Sequence, residues 1–371
     1  SDFTNTIITI NEPIEYTTTG GTEVENGVPI TAVSATNRSR TIGGVEYVRY
    51  ESGDVEPTLI YTGIDDSRNA NASITQDGVT YHRYPLGDLG ANRKKLAPIF
   101  IYANEHGIIM SESRPEKHES KGCALIAARF LRDLANDRQA DNPLYKYIRE
   151  NCMVIVIPVV NPFGYNIDIT GGSGINSGDN ANGYVNANRC NINRNYDTPG
   201  WDATYQREVV EGGNPPAWVG HYPGSQNETQ CVMNTMVESG AVVAMSLHGV
   251  GGWDGLCAHQ GQSPDGSDYN QTKLNKVVEF LLDNWGYELV YYDRNEDDTP
   301  VMPPPNTPDI TSKSPSYITQ CGAYGGIIEF QMDDVTTSGY LLELKSNVLT
   351  NAYAQMLNLL AMWLSDYLDN R

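Results

Sequence analysis

Two histidines in this chain each close an apolar run and precede a glycine. They are His106 in "IFIYANEHG" (99–107) and His248 in "VVAMSLHG" (242–249), out of only six histidines in all. A third apolar run, "GGIIEF" (325–330), carries Glu329. A lone histidine at a strand end is usually a hydrogen-bonded structural residue. Two in equivalent places, with a carboxylate in a third, make a different pattern. Two imidazoles and one carboxylate with an open fourth position are the donor set of a catalytic zinc site. Such an ion keeps net positive charge, so it acidifies a bound water and polarises a carbonyl. A nearby Glu329 can take the proton of that water and deliver it to a leaving amine. The third donor is not fixed by spacing, because neither HExxH nor HxxE can be read around His106. Glu112, Glu116 and Glu119 follow it, with His118 as a competing imidazole. Further along, "NANRCNINRNYD" (186–197) contains Asn193 and Arg194 in a polar loop after an apolar strand. A guanidinium there can pair two-pronged with a substrate carboxylate, or form an internal salt bridge instead.

These residues need a scaffold that brings strand ends together. "CMVIVIPVV" (152–160) is a continuous apolar run, as expected of a strand covered on both faces. "PIFIYAN", "AVVAMSL" and "GGIIEF" read the same way. Helical spacing appears at about 119–137, after Gln226, at 273–285 and at 341–368. Buried strands alternating with helices imply an α/β sandwich with a mostly parallel central sheet. In such sheets polar chemistry gathers at the carboxyl ends of the strands. Residues 1–72 differ in texture, with short alternating runs such as "TIITI" and "VEYVRY" between Gly-rich turns. They are expected to form a small β-rich N-terminal appendage, and 73–371 the catalytic domain.

Composition narrows the partners. Forty-six acidic and 25 basic residues give a net charge of −21, which disfavours nucleic acid and anionic membranes. No apolar run approaches the ~18–20 residues of a membrane span. The chain starts at Ser1 without an apolar leader, so any signal peptide is expected to be already removed or never present. The six cysteines are scattered without a CxxC pair, which excludes a zinc ribbon and leaves room for one or two bridges. The compartment stays open, with a secreted, cell-surface or virion-associated protein favoured.

From about residue 75 onward the chain resembles the zinc metallocarboxypeptidases of the pancreatic carboxypeptidase type, as a divergent, microbial or phage-like member. "PIFIYANEHG" is similar to the strand ending in the first zinc histidine, and "IPVVNPFGYN" to "xPxxNPDGY", with Phe163 for the usual Asp. "NANRCNINRNYD" resembles "GVDLNRNF", whose Asn-Arg pair binds the terminal carboxylate. "YPGSQNETQ" resembles the "G…SEPET" stretch, "AMSLHG" the second zinc strand, and "GGIIEF" the strand of the base glutamate. The resemblance implies a three-layer α/β/α sandwich with one zinc ion on His106, His248 and a glutamate. It also implies Glu329 as general base, and Asn193 and Arg194 on the free C-terminus of a peptide substrate. A mobile substrate-capping tyrosine is implied too: Tyr317, or alternatively Tyr324.

Two departures stand out. The family spaces its first two ligands His-x-x-Glu, whereas Gly-Ile-Ile-Met follows His106 here. In bacterial relatives the ligand glutamate is followed by two residues, a small residue and then the amphipathic helix. Glu119 fits that register, before Gly122, and Glu112 and Glu116 do not. The expectation is therefore His106 and Glu119 split by a ten-residue insertion, with His118 a bystander. The second departure is the family's oxyanion arginine. Arg189 stands where relatives have glycine, so that arginine is absent and its place falls near Tyr184. The implied activity is removal of the C-terminal residue of a peptide. The alternatives are an amidase or endopeptidase of bacterial cell-wall peptides, and an inactive binding protein on the same fold.

Overall fold

The run beginning at Cys152 forms a strand in which all six residues, Cys152–Ile157, are buried. Its even-numbered side chains belong to one apolar cluster and its odd-numbered ones to another. A strand packed on both faces needs a layer above and a layer below, and each buried Val or Ile here contributes about 1.5–3 kcal/mol. In this computed structural model side chains are described for residues 97–106, most of 122–165, most of 185–201, 219–249, most of 317–330 and 349–369. Further strands and helix ends are described as backbone only. The predicted helix at 273–285 lies outside the described residues.

The central sheet has seven strands: β1 (Leu59–Thr62), β2 (Ala97–Ala103), β3 (Cys152–Ile157), β4 (Val243–Val250), β5 (Gly255–Gln260), β6 (Glu288–Leu289) and β7 (Tyr324–Gln331). Their spatial order is β6-β5-β7-β4-β2-β3-β1. The four in the middle, β7, β4, β2 and β3, run parallel. Antiparallel β5 and β1 flank them. The sheet is thus mixed and mostly parallel, as expected. Its edge does not coincide with the change of texture near residue 72, since β1 comes from before that point and pairs with β3. The other elements described ahead of β2 are strands: a three-stranded sheet over Tyr16–Ile30 and two hairpins.

Helices α1 (Glu119–Ala135), α2 (Pro143–Asn151) and α5 (Ser346–Asp369) bury their apolar faces with Ile99, Ile101, Val154, Met245 and Phe330 on one side of the sheet. Between α1 and α5 lies a buried polar knot. Arg129 Nε donates to Asp133 Oδ2 at 3.0 Å, and Tyr353 OH donates to the same oxygen at 3.0 Å. Tyr145 OH bonds Tyr353 in turn. Removing one member of such a pair costs about 3–5 kcal/mol, because the other charge is left unpaired. The opposite side of the sheet is covered by α4 (Asn227–Ser239) with Ile192, Tyr196, Tyr317 and Ile318. Helix α3 (Pro162–Ile169) follows β3 and is capped by Asn161, whose Oδ1 accepts from Gly164 N at 3.0 Å. The expected insertion between His106 and Glu119 is an antiparallel ribbon, Ile109–Ser111 with Arg114–Lys117, and Glu119 is the first residue of α1. The five cysteines described (Cys123, Cys152, Cys190, Cys231, Cys321) are all unbridged.

Candidate active site

The site forms at the carboxyl ends of the middle strands, where β2 stops at Ala103. The next residue, Asn104, has φ +64 in the left-handed region and is the sole non-glycine with positive φ among the described residues. Asparagine tolerates that conformation better than most side chains. The loop after β3 clamps the kink: Val160 N donates to Ala103 O at 3.0 Å and Asn161 N to Asn104 O at 2.9 Å. Asn161 Nδ2 adds bonds to Glu105 O and Val185 O, both at 3.2 Å. On straight strand backbone Glu105 and His106 would point to opposite faces. After the kink both reach His248.

His106 and His248 meet edge to face with ring centroids 5.0 Å apart and planes at 81°. Both are nearly fully buried, at 5% and 2% exposure. His106 Nε2 donates to Asn191 Oδ1 at 3.0 Å, and the same oxygen accepts from Asn193 N at 3.1 Å, which settles the orientation of the amide. His248 Nε2 donates to Glu105 Oε2 at 2.7 Å and lies 3.0 Å from Ser246 Oγ. In each neutral ring the proton therefore sits on Nε2 and the lone pair on Nδ1, the state a metal ligand needs. Glu105 also accepts from Ser246 Oγ at 2.5 Å and from Tyr196 OH at 2.6 Å. Burial alone would raise its pKa. The bond from His248, that ring's charge whenever it is protonated, and the two hydroxyl donors outweigh burial and hold the carboxyl below its ordinary range. The same contact, with burial first, pushes the Tyr196 phenol well up.

Glu329 lies level with His248 in the parallel β4–β7 pairing and is half-buried. Its neighbours Ile328 and Phe330 pack into the α1–α5 side, so Glu329 emerges on the opposite face. Ser246 and Tyr102 are partners across β4 and β2, two residues back from the kink. Tyr102 packs in the cluster on the α4 side, so this is the face that carries Ser246 and His248.

The Asn193-Arg194 pair sits in a 3₁₀ turn, Ile192–Arg194, capped by Asn191. Asn193 is 4% exposed, and Arg194 Nη1 donates to Asn193 O at 2.8 Å. Asn195 ties this turn to the loop before α4: its Nδ2 bonds Val219 O at 2.7 Å and Tyr222 O at 3.0 Å, and its Oδ1 accepts from Gln226 N at 3.0 Å. Asn186 does the same from the other side, through Gln226 Oε1 at 2.9 Å and Glu228 Oε2 at 3.1 Å.

Of the residues expected from sequence, His106, His248, Glu329, Asn193 and Arg194 all lie on strand ends or turns around this one place. Glu119 begins α1, but its side chain lies outside the described residues, as do His118, Glu112, Arg189 and Tyr184. Among the described residues no three His, Cys, Asp or Glu side chains are arranged to hold a metal. Tyr317 is 8% exposed and packs 5.7 Å from the Tyr196 ring, and burial and Cys321 push its phenol up. Tyr324 is half-buried in β7. Sequence reasoning missed Glu105, Asn191, Tyr196 and Ser246. The usable signal for Glu105 was the asparagine ahead of it, a residue suited to a kink at a strand end.

A family model described as zinc carboxypeptidase matches residues 122–279. The match spans 158 of the 371 residues, so this stretch of the chain is similar to the zinc carboxypeptidase family. The matched span contains His248 and the Asn193-Arg194 pair, and lies between His106 and Glu119 on one side and Glu329 on the other. The zinc carboxypeptidase family works with a single zinc ion, and the two imidazoles described here suit one. Among solved structures the chain is similar to thrombin-activatable fibrinolysis inhibitor, at 12% identity over 74% of this chain and 63% of that one, with a TM-score of 0.49. It is also similar to a metallo-carboxypeptidase from Burkholderia cenocepacia (14% identity, 79% and 62% covered, TM-score 0.45). Murein-tripeptide amidase MpaA from Escherichia coli O157 is another (14%, 72% and 82%, TM-score 0.36). This chain thus spans less than two thirds of the first two. No curated protein matches it.

Proposed function

We propose that this zinc peptidase-type hydrolase is a carboxypeptidase, removing the C-terminal residue of peptides. The observation that supports it most is the edge-to-face pair of His106 and His248, both with Nε2 occupied by protein oxygens, with Glu329 level with His248 on the neighbouring strand. His106, His248 and Glu119, the first residue of α1, would hold the zinc ion. When bound, zinc supplies a Lewis acid for the scissile carbonyl and acidity for the attacking water. Glu329 takes the water proton on its carboxylate and passes it to the leaving amine. Asn193 and Arg194 receive the substrate's terminal carboxylate, the guanidinium as a two-pronged donor. The turn that carries them is pinned by Asn191 to His106 and by Asn195 to the loop before α4, so carboxylate and metal are held at a fixed separation. Tyr317 would reach a substrate only by leaving its place on Tyr196.

The test is a matched pair of peptides, one with a free C-terminal acid and one amidated, digested with zinc-loaded protein and read by mass spectrometry. Loss of single residues from the free acid alone is expected. Equal cleavage of both, or internal cleavage, assigns the site to an endopeptidase or amidase instead.

A further inference from the structure

The two imidazoles of the site are backed differently. Behind His106 stands the neutral amide of Asn191, at 3.0 Å. Behind His248 stands the carboxylate of Glu105, at 2.7 Å. Glu105 is wholly buried, and three donors converge on it: Ser246 Oγ and His248 Nε2 on Oε2, and Tyr196 OH on Oε1. Two of the donors come from β4, and one from the residues just after the turn that carries Arg194. A carboxylate is kept from water only where its donors repay the desolvation.

We propose that Glu105 is a positioning residue for the metal-binding His248, and that it brings the negative charge that strengthens this site's hold on zinc; this rests on the zinc reading above. The bond to Oε2 fixes the ring's Nε2–H tautomer and its rotation, leaving the Nδ1 lone pair for the metal. The charge behind the ring raises the basicity of that lone pair. Asn191 performs the first task for His106 without the second. The asymmetry means that zinc affinity depends on one buried carboxylate next in sequence to one ligand and bonded to the other. The left-handed kink at Asn104 marks the point where the chain leaves β2, just ahead of both residues.

The alternative is that Glu105 only stitches β2, β4 and the turn together. Moving the carboxylate separates the two. In Glu105→Gln the amide oxygen can accept from His248 and Ser246 while its NH₂ donates to the Tyr196 oxygen, so the shape is kept and the charge is lost. Zinc affinity is measured by competition with a chelating indicator, and folding by circular dichroism and thermal unfolding of the zinc-free protein. Glu105→Gln is expected to weaken zinc binding about 10–100-fold. Adding Asn191→Asp, which puts a carboxylate behind His106, is expected to restore at least tenfold of that loss. Asn191→Asp alone is expected to tighten binding, which keeps the proposal testable should Glu105→Gln not fold. Unchanged affinity in Glu105→Gln, failure of Asn191→Asp to rescue it, or no tightening by Asn191→Asp alone overturns the proposal. A wild-type protein that binds no zinc overturns the functional reading beneath it instead.

Discussion

Gly325 has φ +135, and a Cβ built on it would lie 1.7 Å from Ala244 O on the neighbouring strand. Contacts under 3.0 Å are essentially never seen for a real Cβ, so Gly325→Ala forces β7 and β4 apart by at least about 1.3 Å. The colliding atom is backbone and cannot rotate away. The left-handed region costs an alanine about 1–3 kcal/mol, and the overlap a similar amount, giving roughly 2–6 kcal/mol in all. Unfolding entropy of about 2.1 cal/mol/K per residue then puts the loss in Tm at roughly 3–8 °C. Four residues on, the same pairing sets Glu329 level with His248. A displacement of about 1 Å at a reacting group costs on the order of 100-fold in rate. His106 and His248 lie off β7, so bound zinc should be unchanged. The assay is thermal unfolding, zinc content and kcat on a free-acid peptide, measured on one preparation. A Gly325→Ala protein with wild-type Tm and kcat refutes the claim that this strand contact sets the base against the metal site.

Glu329→Gln should lower kcat by about 10²–10⁴-fold while leaving zinc content intact, since the residue moves a proton and holds no metal; loss of the metal instead would show a ligand. Arg194→Lys should raise KM for free-acid peptides by tenfold or more through loss of the two-pronged pair, with little effect on kcat. A change confined to kcat would remove Arg194 from substrate recognition. The Cys152 thiol is pushed up from 9.0 to about 12 by burial. The unfolded chain therefore sheds this proton first, and stability falls as pH rises from 9 toward 12, by at most about 1.4 kcal/mol per unit. In urea denaturation Cys152→Ala should flatten that decline, and identical slopes would contradict it.

The strand ends were legible in the sequence because a strand covered on both faces must be apolar throughout, so the first polar residue after it marks the rim of the sheet. That logic located His106, His248 and the level of Glu329. It also found the start of α1 at Glu119, since the helical period begins there whatever precedes it. Glu105 was not legible. Strict strand alternation sends the neighbour of an inward histidine outward, but β2 ends at Ala103, so that rule no longer applies to residues 105 and 106. Asn191 was hidden for another reason: whether an amide caps a turn, backs a ligand or faces solvent depends on a chain contact 85 residues away. The packing of Tyr317 on Tyr196, and the bond of Tyr196 to Glu105, join residues too far apart in sequence to be read from it. The edge strand β1 is only four residues long, too short for periodicity to join it to β3.

The central claim is a zinc centre shared by His106, His248 and Glu119. It is tested most directly by elemental analysis of protein purified without added metal, as wild type and as Glu119→Ala. The expected result is one zinc ion per wild-type chain, with stoichiometry falling toward zero in the variant although the fold is kept. Wild-type protein without zinc, or a Glu119→Ala protein that retains it in full, contradicts the account.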